Sequence, residues 1–580
     1  MAARSKWPAI VSVEISGELK EGPHERFAER SILPGIHLFS LTGFRRIHKG
    51  DSRSSPCCSL QIGLVVLWTP AGGRMHEEFN AGAWLIDRHV AKGRGDRIAV
   101  RCNSEAISYE RLLGLTQRVS SGLRVFGVRP EERVAMVMLD SVEFIATFLG
   151  VLRIGAIPVL TNPLLPGRDL GVIIADSRAR IAVVSHERSD SVPSILDGAP
   201  ELSTVVSTNS TSIANGPTWA QFASSKSDAE PYSTWRDSPG FWLCTSGTTG
   251  MPKLAMHTHG DIVDTVDTYA TQVLGITEDD RFFSVGPMFH AYGLGNSLTF
   301  PLAIGATTIV EPTRPPTPEL VANIATKERP TLFFCIPTFY AALTNSDVAV
   351  NTFASVRLGV SAAEALPAET YHRFEERFGV RILDGIGSTE LLHIFLSNSP
   401  EVCLPGTSGV AVPGYELRIV DDDGVDLDDG EPGQLIVKGA SSATGYWARS
   451  AMSRSTFQGD WTHTGDLYVR SADGFYTYLG RADDMLRVGG EWVSPAEVEG
   501  VLIEHPSVLE AAVVGQRDDD GIVRPIAFVI SAPDQKADDA ALTEWCRFRL
   551  AGYKRPKRYE IVAELPKTAT GKIQRYRLRS

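Results

Sequence analysis

Cysteine is scarce, long apolar runs are missing and positive charge is in deficit. The seven cysteines of the 580-residue chain are scattered, only Cys57 and Cys58 are neighbours, and no C-x-x-C spacing occurs. That usage suggests neither a disulfide framework nor a cysteine zinc site, so a reducing cytoplasm is the expected compartment. The longest apolar run near the N-terminus, Ile62 to Trp68, falls well short of the roughly 20 residues of a spanning helix, so no membrane insertion is expected. Lys and Arg number 57 against 69 Asp and Glu, a formal net charge of −12. A surface of that sign repels polyanions and offers no footprint for nucleic acid, although a small anion can still bind at a local cationic site.

The chain is 43% apolar and 22% charged, too apolar for disorder and too long for one core, which implies more than one domain. Residues 1–74 form an atypical extension with ten Lys and Arg against six Asp and Glu. Its acids Glu14, Glu18, Glu21, Glu25 and Glu29 do not suit a transit peptide, and the composition break at Met75 suggests that translation starts there. From Phe79 onward, helical periodicity alternates with short runs such as Arg133–Met138 and Arg180–Val184, the signature of α/β layering. The turn-rich stretches 420–430 and 471–474 predict a smaller antiparallel β unit over 410–480. After Gly480-Arg-Ala-Asp-Asp-Met485 the pattern becomes mixed α and β, including a helix-like Ser494–Ile503. Two domains follow, a large one over 75–480 and a small one over 481–580.

Four stretches carry chemistry. Thr245-Ser-Gly-Thr-Thr-Gly-Met-Pro-Lys253 follows the strand-like Phe241–Cys244 and gathers backbone N–H groups, hydroxyls and an ammonium suited to phosphate oxygens. It fails the Walker A spacing, because Met-Pro-Lys follows Gly250. An ordinary loop has the same composition. Arg381-Ile-Leu-Asp-Gly-Ile-Gly-Ser-Thr-Glu390 is a strand, a glycine turn and a hydroxyl-acid pair, able to set Thr389 on a phosphate and Glu390 on Mg²⁺, or merely to cap a helix through Leu391-Leu392. Trp461-Thr-His-Thr-Gly-Asp-Leu467 offers an acid in a tight turn, for a ribose diol or for its own backbone. Leu565-Pro-Lys-Thr-Ala-Thr-Gly-Lys-Ile-Gln574 puts Lys572 in a hydroxyl-rich loop near the end of the chain.

In this order the four stretches resemble the adenylate-forming superfamily of acyl-CoA ligases, luciferases and peptide-synthetase adenylation domains, from about residue 79 to the C-terminus. Asp384–Asn398 and Ala291–Phe300 resemble the benzoate-CoA ligase group, which shares Ile386. The resemblance implies an α/β fold, with a large multi-subdomain N-terminal adenylation domain and a small α+β C-terminal domain on a hinge. It implies an ATP- and Mg²⁺-dependent enzyme that makes an acyl-adenylate from an aromatic acid and passes the acyl group to CoA, acting as a monomer or homodimer. Thr245, Ser246, Gly247, Thr248, Thr249 and Lys253 would hold the β- and γ-phosphates, and Thr389 the α-phosphate. Glu390 would bind the metal. Glu364, Asp384, Ile386 and Gly387 would frame adenine, and Asp466 and Arg481 the ribose. Lys572 would reach the attacking carboxylate and the α-phosphate. Asp483 falls at the hinge, and Gly489 and Gly490 at the pantetheine channel.

Ala291, Tyr292, Ala362, Gly385 and His393 map onto the acid pocket, where His393 is expected either to orient the carboxylate or to be a core residue of an apolar helix. Three positions depart from the benzoate group: His290 replaces a usual Phe, Ala363 a usual Gly, and Leu254 the Gly after the loop lysine. The first two leave the ring substituents open, and Leu254 raises a backbone question because Leu does not readily take φ > 0. The basic run Lys554-Arg-Pro-Lys-Arg558 is a candidate for the CoA phosphates or a solvated face. A separate carrier protein as acyl acceptor, another small cyclic or fatty acid as substrate, a non-catalytic ligand-binding relative and a luciferase-like oxygen chemistry are the alternatives.

Overall fold

Ile181–Val184, Ile157–Leu160 and Leu332–Cys335 are almost wholly apolar and buried at every position, which is what strands covered by helices on both faces require. The computed structural model describes residues 77–208, 210–214, 216–224, 230–245, 252–482, 484–488, 491–518, 523–532, 535–567 and 573–579. The extension 1–74 lies outside them.

The strands assemble into two large sheets. The first runs Thr204–Ser207, Ile181–Val184, Arg133–Val137, Ile157–Leu160, Pro239–Thr245, Lys253–Thr258, parallel except for the final hairpin. The second has nine strands in the order Val410–Ala411, Ile394–Ser397, Ile382–Gly387, Leu358–Ser361, Leu332–Cys335, Arg281–Ser284, Thr307–Val310, Ile98–Cys102, Glu105–Ser108. Its middle is parallel, and antiparallel pairs finish both edges. Ile98–Cys102 lies beside Thr307–Val310, so an early strand completes a sheet built from much later sequence.

The helix Val142–Arg153 is capped by the Ser141 hydroxyl, which accepts the Phe144 N–H, and is buried at every position from Phe144 to Arg153. Phe148 meets Phe241 of the first sheet edge-on at 5.6 Å. At the helix end the buried Arg153 guanidinium donates to both carboxylate oxygens of Asp87, at 2.7 and 2.8 Å, which compensates its burial.

The region expected to be antiparallel is so: Glu416–Val420, Pro432–Lys438, Trp461–Arg470, Phe457–Gln458 and Tyr476–Arg481 pair only in antiparallel fashion. The fold is α/β with a large N-terminal domain and a smaller C-terminal one. In the smaller, Val508–Arg517 and Val523–Ser531 form an antiparallel pair, and Arg558–Ile561 joins parallel to the second. The helix Pro495–Ile503, capped by the Ser494 hydroxyl, and the helix Asp539–Arg549 bury Val498, Leu502 and Leu542 with Val513 and Val529 in a separate core. Glu499 is the polar centre of this core. Its carboxylate accepts the Val513 N–H at 2.7 Å and, through both oxygens, the Arg575 guanidinium at 2.7 to 3.2 Å.

Glu499 therefore ties helix, sheet and C-terminal segment together, and its attraction raises the Arg575 pKa further above its ordinary value. Glu499→Ala should destabilise the small domain by about 3 kcal/mol, the cost of leaving a half-buried cation unpaired. Hydrogen exchange at the Val513 amide in the full chain measures it, with Glu499→Gln expected to lose less because it keeps the acceptor for that amide.

Candidate active site

The parallel strands Arg281–Ser284, Leu332–Cys335, Leu358–Ser361 and Ile382–Gly387 lie side by side and end at one edge of their sheet, where open α/β sheets form their ligand crevices. Past that edge come Ala291 and Tyr292 in the short helix Ala291–Leu294, then Ala362 and Glu364 in a loop, while Asp384, Gly385, Ile386 and Gly387 stay on the last strand and Thr389 and Glu390 follow it in the turn. Three separate sequence stretches thus converge. Ser361 pairs with Asp384 across the two strands. Burial raises the Asp384 carboxyl well above the usual carboxylate range, partly offset by bonds from backbone N–H groups and Ser361.

The acid-pocket expectations need refining. Tyr292 donates its hydroxyl to the carbonyls of Cys335 at 3.2 Å and Val360 at 3.0 Å, so its phenol serves strand ends and only its ring is left for a ligand. His393 is not on a helix. Leu391 to His393 form a turn and two bends that lead into Ile394–Ser397, because the His393 N–H bonds to the Leu391 carbonyl at 2.8 Å and closes the chain too tightly for helix. The imidazole sits among Phe300, Tyr269 and Tyr292, ring centres 4.5, 5.3 and 5.8 Å away. It makes no side-chain hydrogen bond of normal length, and burial pushes it down to about 3. It offers a ligand no positive charge. Gly295 is required beside it, since a Cβ there would stand 2.4 Å from the ring.

On the other side of the crevice, Thr245 ends one strand and Lys253 begins its hairpin partner, the two in register. Leu254 takes an ordinary strand position, buried with Ile157 and Trp242, so the glycine usual there is not needed for φ > 0. Residues 444–447 run antiparallel along this strand, through Met256 N–H to Gly445 O and Trp447 N–H to Leu254 O, both 2.9 Å. This places the Tyr446 ring 5.0 Å from the Lys253 Nζ and its hydroxyl 2.6 Å from Glu390 Oε1, to which it donates. Burial first, then Glu390, raises the Tyr446 phenol, which keeps it a donor. The Ala443 N–H bonds the Glu390 carbonyl at 2.8 Å. His257 spans the strand and the turn: Nδ1 meets Asp261 Oδ2 at 2.7 Å and Nε2 meets the Thr389 carbonyl at 2.8 Å.

The turn itself is not the start of a helix. The Ser388 hydroxyl accepts the Leu391 N–H at 3.2 Å, but Leu392 has φ +66° and no helical run follows. Among the described residues no group of three His, Cys, Asp or Glu is placed to cage a metal. One half-buried carboxylate, Glu390, with its Oε2 not engaged by Tyr446, suits Mg²⁺ carried in on phosphates, since that ion keeps most of its ligands as water and phosphate oxygen.

Asp466 was expected in a tight turn and instead lies in Trp461–Arg470, opposite Arg481 in register. The kink is real, for Gly465 has φ +73° and a Cβ there would stand 2.8 Å from the Arg481 guanidinium. Arg481 donates to Asp466 Oδ1 at 3.1 Å and to the Thr464 carbonyl at 2.9 Å. In the basic run, Lys554 is paired with Glu497 at 2.7 Å and Arg558 with Glu560 at 3.0 Å, so much of that charge is already spent. Ser246, Gly247, Thr248, Thr249, Asp483, Gly489, Gly490 and Lys572 lie outside the described residues. Sequence reasoning missed Tyr446, His257 and Asp261. The i, i+4 spacing of His257 and Asp261 was a signal for their own pairing; nothing local pointed to Thr389.

Residues 87–447 match the AMP-binding enzyme family and residues 497–572 the AMP-binding enzyme C-terminal domain. A benzoate–CoA ligase of Thauera aromatica is 42% identical over 88% of this chain and 98% of its own. A 4-hydroxybenzoate–CoA/benzoate–CoA ligase of Rhodopseudomonas palustris is 41% identical over 87% and 94%. The crystal structure of a benzoate CoA ligase from Burkholderia xenovorans LB400 superposes with a TM-score of 0.81 at 40% identity, covering 87% of this chain and all of that one.

Two measurements test the local physics. Ala363 is exposed with φ +77°, a left-handed conformation that costs a residue with a Cβ about 1 kcal/mol; Ala363→Gly should raise stability by about that amount, read from the denaturant midpoint. His393 binds a proton near pH 6.5 when unfolded but only near 3 when folded, so its contribution is whole above about pH 6.5 and drains away as pH falls. Relative to His393→Phe, the wild type should lose about 1.4 kcal/mol per pH unit between about pH 6 and pH 4, measured by urea unfolding.

Proposed function

The chain belongs to the AMP-binding enzyme family, and we propose that it is an ATP-dependent CoA ligase for a benzoate-like aromatic acid, which releases AMP and pyrophosphate. The observation that carries the reading is the turn Thr389–Glu390, clamped at Tyr446 and Ala443 beside Lys253. It gathers a hydroxyl, a carboxylate and an ammonium at one end of a sheet whose neighbouring loops carry an aromatic pocket. The 42% and 41% identities to ligases named for benzoate and 4-hydroxybenzoate support the acid class, as does a 38% identical anthranilate CoA ligase solved with anthranoyl-AMP, TM-score 0.83, covering 86% of this chain and 96% of that one.

In the first half-reaction an acid oxygen attacks the α-phosphorus of ATP, and the bond to pyrophosphate breaks. Thr245, Ser246, Gly247, Thr248, Thr249 and Lys253 hold the β- and γ-phosphates, and Thr389 orients the α-phosphate. Lys572 approaches the reacting oxygens. Glu390 would hold Mg²⁺, which when bound would supply positive charge to the phosphates. Asp466, oriented by Arg481, accepts from the ribose diol, while Glu364, Asp384, Ile386 and Gly387 frame the base. Ala291, Tyr292, Ala362, Gly385 and His393 surround the acid, a neutral, ring-lined enclosure suited to a flat aromatic body. In the second half-reaction the thiol of CoA, led along Gly489 and Gly490 after the small domain turns about Asp483, attacks the acyl carbon. AMP leaves with the bonding pair, and the thiol proton passes to solvent. The adenylate is already activated, so this step asks little of Lys572.

AMP and pyrophosphate release across benzoates, cinnamates, cyclohexene carboxylates and short fatty acids, with and without CoA, tests the reading. Release confined to aryl acids and stimulated by CoA is expected; release with fatty acids alone, or stimulation by a carrier protein but not CoA, overturns the substrate or the acceptor. Lys572→Ala should lower adenylation by at least about 100-fold and leave thioester formation from supplied acyl-adenylate within about threefold.

A further inference from the structure

His257 belongs to neither the phosphate loop nor the acid pocket, yet it joins the two halves of the candidate site. It lies on the strand Lys253–Thr258, four residues after the loop lysine, with a fully buried imidazole stacked on Phe241 at 5.2 Å and 16° between planes. Its Nδ1 meets Asp261 Oδ2 at 2.7 Å, and its Nε2 meets the carbonyl of Thr389, 132 residues away in sequence, at 2.8 Å. Asp261 is itself fixed. Its carboxylate accepts the Thr258 N–H at 3.2 Å and the Thr258 hydroxyl, in the capping box that starts the helix His259–Thr265. The Thr389 carbonyl can only accept, so the contact at Nε2 is an N–H donated to it, while the Asp261 carboxylate braces the ring at Nδ1 against a helix start.

The Thr389 carbonyl and the Glu390 N–H belong to one planar peptide unit. Holding that oxygen fixes the plane that joins the two residues, and with it the direction in which both side chains leave the turn. Tyr446 and Ala443 hold Glu390 from the other side. We infer that His257, oriented by Asp261, is a positioning residue for adenylation, setting the Thr389–Glu390 peptide for the α-phosphate. The inference rests on the roles proposed above for Thr389 and Glu390. Such residues behind a reacting group typically matter by tens of fold, because small misplacements are expensive.

His257→Leu removes the donor while keeping an apolar side chain of similar reach, and His257→Gln restores an amide N–H that can meet the Thr389 carbonyl. In acid-dependent ATP–pyrophosphate exchange at saturating substrates, His257→Leu should lose about 10- to 100-fold, and His257→Gln should stay within about fivefold of wild type. The KM for the acid should move less than about threefold in both, as should thioester formation from supplied acyl-adenylate. Calorimetric titration with Mg²⁺·ATP gives a readout that needs no acid, and His257→Leu should bind at least about threefold more weakly than His257→Gln. Equal behaviour of the two variants in exchange and in nucleotide affinity overturns the proposal, and so does an equal loss of both half-reactions in His257→Leu. If His257→Leu does not fold, Asp261→Asn takes its place, with a smaller loss confined to the exchange reaction expected and loss of both half-reactions again overturning it. Glu390→Gln run alongside separates the two readings. Wild-type exchange in Glu390→Gln sinks the metal-binding assignment, whereas its loss with Leu and Gln alike at 257 sinks only the positioning role.

Discussion

Bringing one anion to another is the constraint on which this molecule depends. A carboxylate must approach a triphosphate closely enough to bond, and unit charges of like sign 4 Å apart repel by about 4 kcal/mol at an effective dielectric of 20. The chain as a whole aggravates the problem with its net charge of −12, so the remedy has to be local. In the proposed reaction it is assembled from few cations: Lys253 on a strand, Lys572 near the end of the small domain, and the metal at Glu390. Asp466 and Arg481 neutralise each other in register, so this acid adds no free negative charge of its own.

Local charge works only if it does not move, and the layered fold supplies that stiffness. The end of the large parallel sheet delivers the loops, the hairpin of the first sheet delivers Lys253 and His257, and residues 444–447 lace along that hairpin to bring Tyr446 over Glu390. No single layer contains the arrangement. The antiparallel unit around residues 416–481 packs Ile419, Leu435, Val437, Tyr468 and Tyr476 into the same core as Val360 and Leu383 of the parallel sheet, which anchors the strands that carry Asp466 and Arg481.

Much of this was legible in the chain because the signals were local. Short all-apolar runs at Val134–Val137 and Ile181–Val184 announce buried parallel strands, and turn clusters announce the antiparallel unit. The second motif locates the turn that follows the strand Ile382–Gly387. What could not be read were facts made by neighbours distant in sequence. His393 looked helical among apolar residues until the i→i+2 bond from its N–H to the Leu391 carbonyl is seen. Leu254 looked like a strained replacement for glycine, but a strand needs no positive φ. Asp466 looked like a turn because Gly465 is one bend inside a longer strand. Tyr292 is a pocket candidate from its motif alone, but that two carbonyls from separate strands claim its hydroxyl is seen only in the fold.

Leu392 shows how the constraint reaches the backbone. A buried leucine at φ +66° closing an i→i+2 turn is a rare and strained conformation, costing about 1–3 kcal/mol. It persists because every carbonyl of the turn before it is taken from another element. The Thr389 oxygen accepts from His257, the Glu390 oxygen from the Ala443 N–H, and the Leu391 oxygen from the Ser441 hydroxyl at 2.8 Å. At about 1 kcal/mol each, three such bonds with the Tyr446–Glu390 bond are enough to offset the strain. Relaxing Leu392 to an extended or helical conformation would swing Glu390 away from Tyr446 and His393 out of its aromatic surround together. The strained residue thus couples the surroundings of Glu390 to those of His393, which is where a turn serving both must bend.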